Sequence, residues 1–134
     1  MLRMAFDNVL FVIAILLPWA IFVANIKLFR GKYKVISVVV SAVLVYAALI
    51  LQVHLDDARL EKALYAFDLN GDGVFSGTEI NSDQEAAMAN FVNDTGRAMA
   101  PITGAIFSTL YTAISFMLFF FASWLRSKYR AKRI

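Results

Sequence analysis

"ITGAIFSTLYTAISFMLFFFASWL", residues 102–125, runs for twenty-four residues without a charged side chain. A helix rises about 1.5 Å per residue, so about 20 residues cross a hydrocarbon layer of about 30 Å. The run is long enough to cross, with some tilt. Two more such runs lie upstream. "VLFVIAILLPWAIFVANI" covers residues 9–26 and holds one Pro and one Asn, and "VISVVVSAVLVYAALILQV" covers residues 35–53 without a charge. Lipid offers no partners to backbone N–H and C=O groups, so each run is expected as a helix. The 134-residue chain is 60% hydrophobic and 17% charged. Soluble domains carry roughly 45–50% and 25%. Packing three such runs as buried soluble helices would need a polar shell that this chain lacks. The expected fold is all-α, with three transmembrane helices and a polar insert between the second and third.

The first run follows a single early Arg3, but no A-x-A-like cleavage site comes after it. "NIKLFRGKYK" and a second apolar run follow instead, so residues 9–26 are expected to be an uncleaved anchor. Residues 1–53 then form a two-helix segment, residues 54–101 the insert, and residues 102–134 the third helix with a basic tail. The chain has no cysteine, which excludes disulfides, zinc–thiolate sites and thiol nucleophiles.

Charge position sets the expected orientation. Lys27, Arg30, Lys32 and Lys34 lie between the first two runs, and Arg126, Lys128, Arg130, Lys132 and Arg133 follow the third. A three-span topology puts both clusters on one side, and short Lys/Arg-rich segments stay cytoplasmic. The amino-terminal tail, with Arg3 near Asp7, and the insert then face outward, across a plasma or bacterial inner membrane. The basic charge is accounted for by topology and anionic headgroups, so no nucleic-acid partner is expected. Phe119, Phe120, Phe121 and Trp124 read as an anchor at the inner interface.

The insert carries nine carboxylates and three basic residues. Within it, residues 68–79 read "DLNGDGVFSGTE". The pattern D-x-[DN]-x-[DN]-G-x5-E is filled by Asp68, Asn70, Asp72, Gly73 and Glu79. Val74 stands where a backbone carbonyl would ligate, and Ser76 where a ligand commonly acts through water. A hard cation takes six to eight oxygens, so alternate side chains must converge on one point. Gly73 permits the reversal and Glu79 supplies two oxygens. Leu60, Ala63, Leu64 and Phe67 sit on one face of an expected entering helix, with Asp56 and Asp57 near its positive end.

Residues 60–80 resemble an EF-hand of the calcium-binding superfamily. The resemblance implies Ca2+ as the ligand, held by Asp68, Asn70, Asp72, Val74, Ser76 and Glu79. Three side-chain carboxylates and an exterior position imply a Kd on the order of 10⁻⁴–10⁻³ M. Such motifs commonly pair, and only one is visible, so the mate could come from a second copy. The exit side departs from the pattern. Ser82 and Glu85 form an expected capping box, opening a helix over 83–92 that buries Ala86, Met88 or Ala89, Phe91 and Val92. "NDT", residues 93–95, is a glycosylation sequon, relevant only in a eukaryotic lumen.

Gly104, Ser108, Thr112 and Ser115, with Ala105, Thr109 and Ala113, form a strip of small and hydroxyl residues on the third span. Ser37 and Ser41 match it on the second. Such strips serve close helix packing or, alternatively, a wet pore lining. Pro18 is expected to kink the first span, and Asn25 to bond across helices. His54, Asp57 and Glu61 stand at i, i+3 and i+7, a line that could bind metal or sense pH.

No nucleophile–base pairing, phosphate loop or metalloprotease motif occurs, so an enzyme is not expected. Three functions fit the sequence. One is a calcium-responsive regulatory or sensor subunit acting through its membrane helices, on a membrane partner or as a homo-oligomer. Another is a calcium-dependent homo-oligomeric channel or transporter. In the third, calcium only rigidifies the outer segment.

Overall fold

The structure, a computed structural model, describes the backbone of residues 2–131 and the side chains of residues 9–129. Arg3 and Asp7 of the amino-terminal tail, and Arg130, Lys132 and Arg133 of the basic tail, lie outside the described side chains. The elements are α1 (Leu2–Phe29), α2 (Lys34–Tyr65), a 3₁₀ turn (Gly77–Glu79), α3 (Ser82–Val92) and α4 (Thr95–Ala131). No strand occurs among the described residues. Helices α1, α2 and α4 contain the three apolar runs, and the structure has three helices long and apolar enough to cross a membrane. The chain divides into two compact units, Met1–Leu49 with Ile102–Ile134, and Ile50–Pro101.

In the first unit the contacts fix helix directions. Tyr111 donates its hydroxyl to the Ile15 carbonyl at 2.5 Å. Farther along both helices, Trp19 lies 6.0 Å from Phe119, and Phe22 meets Phe116 edge-on at 5.3 Å. Positions rise together, so α1 and α4 run parallel. Against α2 they run oppositely: Gly104 faces Tyr46 and Leu49, whereas the Lys34 ammonium lies 5.3 Å from the Phe120 ring centre. The α1–α2 turn and the carboxyl end of α4 therefore share one end of this unit. Lys27, Arg30, Lys32 and Lys34, with Arg126 and Lys128 of the second cluster, gather there.

Burial in this unit is inverted. Asn25, Ser37, Ser41, Ser108, Thr112 and Ser115 are all at most 6% exposed. Leu16, Val35, Val43, Ile106, Leu110 and Met117 are each more than half exposed. A water-soluble fold places these two sets the other way round. Burying three of the hydroxyls costs little because they bond back to nearby carbonyls: Ser37 donates to the Tyr33 carbonyl at 2.7 Å, Ser41 to Ser37 at 2.7 Å and Ser108 to Ala105 at 3.1 Å. Their small size lets helices approach closely. The expected strip on α4 thus splits: Gly104, Ser108, Thr112 and Ser115 are buried, whereas Ala105, Thr109 and Ala113 are exposed.

Asn25 closes the α1–α2 turn. Its backbone carbonyl accepts from the Gly31 N–H at 3.0 Å, and its side-chain oxygen from the Tyr33 N–H at 3.3 Å. Arg30 (φ 53°) and Gly31 (φ 75°) turn the chain through the left-handed region. Pro18 is buried inside α1 and offers no N–H to the Ala14 carbonyl. Next to this gap, the Ile15 carbonyl takes the Tyr111 hydroxyl. The aromatic group expected as one anchor also divides. Phe119 and Phe120 pack toward Trp19 and Phe22, while Phe121 and Trp124 are 59% and 52% exposed and stack on each other.

The second unit corrects the expected entering helix. Residues 54–65 contain neither Gly nor Pro, and α2 continues through them to Tyr65. Asp56 and Asp57 therefore lie within a helix rather than at a positive end. Asp56 pairs with Arg59 at 3.0 Å. Leu64 is buried and Leu60 and Phe67 are half-buried, but Ala63 is exposed. Helix α3 is capped one residue earlier than expected. Asn81 accepts from the Asp83 and Gln84 N–H groups, both at 3.0 Å. Its inner face is Gln84, Ala87, Met88 and Phe91; Ala86, Ala89 and Val92 are exposed.

Arg97 ties this unit together. Its guanidinium, with 12% side-chain exposure, bonds Asp57 on α2 and Asp94 at 3.0 Å, and donates to the carbonyls of Asn90 and Phe91. One planar, always-charged group thus satisfies the open carboxyl end of α3 and pairs with two carboxylates. Residues 95–101, expected as a link into the third span, are the first turns of α4 itself.

A Cβ at Gly104 would stand 3.7 Å from the Tyr46 ring, an ordinary contact. Gly104→Ala is expected to keep stability, whereas Gly104→Leu drives into Tyr46 and should cost about 1–3 kcal/mol. Denaturant unfolding in detergent micelles, followed by circular dichroism, would separate the two variants.

Candidate cation-binding loop

The loop begins where α2 runs out. Phe67 and Asp68 donate their N–H groups to the Leu64 and Tyr65 carbonyls at 3.1 and 3.2 Å, ending the helix in tight turns. The Tyr65 ring then lies 6.1 Å from that of Phe75 across the loop. From Asp68 onward, short polar side chains capture backbone donors ahead of them, the habit that makes Asx residues turn formers. Asp68 accepts from Gly71 N–H at 2.8 Å with one oxygen and from Gly73 N–H at 2.9 Å with the other. Asn70 accepts from Asp72 N–H at 3.0 Å, and Asp72 from Val74 N–H at 2.7 Å. The Asn70 amide also donates to Asp72 at 2.8 Å. Gly71 and Gly73 have φ of 74° and 76°, the left-handed values that glycine adopts without a Cβ penalty.

Glu79 closes the circuit. It sits on the 3₁₀ turn, whose backbone bond from Glu79 N–H to the Ser76 carbonyl is 3.1 Å. Its carboxylate folds back ten residues, accepting from Leu69 and Asn70 N–H at 2.8 and 3.2 Å with one oxygen. The other oxygen accepts from Ser76 N–H at 3.0 Å. The side chain is 5% exposed, and these three donors are what make its burial tolerable.

Asp68, Asn70, Asp72 and Glu79 thus lie in one hydrogen-bonded loop, and Val74 and Ser76 are exposed within it. The donor chemistry suits a hard dication: carboxylate, amide, carbonyl and hydroxyl oxygens alone. A carboxylate has about four acceptor positions, so the loop's own N–H groups leave some of them open. The acidic oxygens nonetheless face the backbone rather than one another. Among the described residues, no group of three or more His, Cys, Asp or Glu side chains is gathered so as to hold a metal ion. That holds for His54, Asp57 and Glu61 as well: Asp57 is engaged by Arg97, and His54 is exposed.

Sequence reasoning missed Arg97. The available signal was its isolation, as the one basic residue between Lys62 and Arg126. It also missed the cap at Asn81. No protein-family model, curated protein or solved structure matches the chain.

If Glu79 is the clasp, Glu79→Ala frees the Leu69, Asn70 and Ser76 amides. Their hydrogen exchange should quicken by about tenfold, as expected for losing charge-assisted bonds that are partly exposed. Amides of Gln84–Phe91 in α3 should change far less. Unchanged protection at Leu69 would remove Glu79 from this role.

Proposed function

We propose that the protein is an integral membrane protein that binds calcium through residues 68–79 and serves as a calcium-responsive regulatory or sensor subunit. The membrane part is supported by the inverted burial of the first unit, with Ser and Thr hydroxyls and Asn25 inside and large aliphatic side chains outside. The basic residues gathered at one end support an orientation with that end cytoplasmic and the acidic segment outside. The single observation that carries the calcium reading is the Glu79 carboxylate bonded across the loop to Leu69 and Asn70. The last residue of the EF-hand-like pattern thereby meets its first turn.

The sensor reading draws on helix continuity. α2 and α4 each continue as helix from the acidic segment into an apolar run, α4 with Pro101 inside it. A bound ion would act first on residues 68–79, then through α3 on the Arg97 contacts. Free calcium tenfold above Kd stabilises the bound state by about 1.4 kcal/mol. That is enough to bias a soft equilibrium and too little to force a large rearrangement. The mate, a second copy or another membrane protein, would be the element that responds. Ser108, Thr112 and Ser115 on α4 give no support to a pore, because packing within one chain already buries them.

Terbium luminescence with calcium competition tests the ion. Wild type should bind with a Kd on the order of 10⁻⁴–10⁻³ M, and Glu79→Gln at least tenfold more weakly with helix content intact. Equal affinities would refute the assignment. The cysteine-free chain also allows a direct topology test. On intact cells, an impermeant thiol reagent should label Ser82→Cys and leave Ser127→Cys dark; the reverse pattern inverts the orientation.

A further inference from the structure

Beside the α1–α2 turn of the first unit lies an open groove of about 410 Å³. Its walls are the aliphatic side chains of Ile21, Ala24, Ile36 and Val40, and the Phe29–Tyr33 ring pair closes it toward the turn. Two polar side chains interrupt this lining, Asn25 and Ser37. Ser37 is satisfied by the Tyr33 carbonyl. Asn25 is not: it is 3% exposed, its oxygen takes the Tyr33 N–H, and its amide Nδ2 is buried with no acceptor.

Charge surrounds the opening. The Lys32 ammonium stands 5.6 Å from the centre of the Tyr33 ring that lines the groove. Lys27, Arg30 and Lys34 are exposed on the same turn, which carries no acidic residue between Asn25 and Asp56. The apolar groove and the cation at its edge together describe an amphiphile: a hydrocarbon chain with an anion at its head.

We propose that this groove is a binding site for one anionic phospholipid of the leaflet facing the basic turn. An acyl chain lies against Ile21, Ala24, Ile36 and Val40. The phosphate meets Lys32. Basic pockets between membrane helices are suited to such headgroups. An apolar helix of a second copy would fill the same space, but it would bring no anion for Lys32. The inference rests on the membrane reading and is independent of calcium.

Native mass spectrometry of the full chain, released from nanodiscs of equal phosphatidylglycerol and phosphatidylcholine, tests it. Wild type should retain one phosphatidylglycerol in preference to phosphatidylcholine. Lys32→Gln should lower that retention about fivefold, as expected for one near-surface cation. Ala24→Phe should abolish it by filling the groove. Lys128→Gln is the control. Its ammonium lies 4.4 Å over the Trp124 ring, on another helix at the same end, and its loss should change nothing. Equal retention of both lipids overturns the site. So does an equal loss in Lys32→Gln and Lys128→Gln, which would mark general charge attraction. A dimer without lipid would give the groove to a second copy. Lys32 is exposed, so its variant keeps the test decisive even if Ala24→Phe fails to fold. Failure of wild type to enter nanodiscs at all would instead sink the membrane reading, a result easily told apart.

Discussion

Three long apolar helices satisfy their own backbone and keep their few polar side chains inside, the arrangement that a medium without hydrogen bonds would demand. That constraint organises the first unit. It sends Ser37, Ser41, Ser108, Thr112 and Ser115 to the shared interior, where they add little bulk, and turns Leu16, Val35 and Met117 outward. The hydroxyls of Ser37, Ser41 and Ser108 do not need one another, because they bond back to nearby carbonyls. What holds the helices is then close approach and ring packing, as at Gly104 against Tyr46 and Phe22 against Phe116. Thr112, fully buried with an unpartnered hydroxyl, shows how tightly that interior closes.

The second unit is organised by charge instead. Nine carboxylates and little apolar surface give it few buried side chains, Leu64 foremost. Two side chains supply the missing cohesion. Glu79 gathers three N–H donors from both ends of the loop, and Arg97 gathers two carboxylates and two carbonyls from α2, α3 and the residue just before α4. Both engage several partners at once, so each ordered side chain returns more than one charge-assisted bond. Asp57 and Asp94 remain nearly half exposed, so the ion pairs themselves contribute modestly and the carbonyl contacts matter as much.

The helical runs were legible because hydropathy and length decide them together. The helix ends were not. Hydropathy falls at His54, but it reports the surroundings of a side chain and not the path of the backbone. With no Gly or Pro before Gly71, α2 continues a further three turns, which moves Asp56 and Asp57 away from any helix end. The cap of α3 fell to Asn81 rather than Ser82. Both are good capping residues, and the extended backbone at Asn81 (φ −145°, ψ 172°) decides between them. Alternation of Asp68, Asn70 and Asp72 gave the turns of the loop, since Asx side chains act over two to five residues. Arg97 and Asp57 lie forty residues apart, beyond any local pattern.

The same bonds that order the loop set the scale of what an ion could do there. On the proposed reading, calcium would compete with Leu69, Asn70 and Ser76 for the Glu79 oxygens, and with Gly71 and Gly73 for those of Asp68. Part of its coordination energy would go to loosening contacts that the loop already makes, which lowers net affinity. This compensation favours a loop ordered in both states, with binding shifting strain at its ends rather than folding it from nothing. The ends are the exit of α2 at Tyr65 and the approach to α3 at Asn81, whose far end Arg97 holds. A weak site with pre-ordered walls would therefore report calcium at outer concentrations through small displacements of α3. Such displacements are of the size that a coupling of 1–3 kcal/mol can sustain.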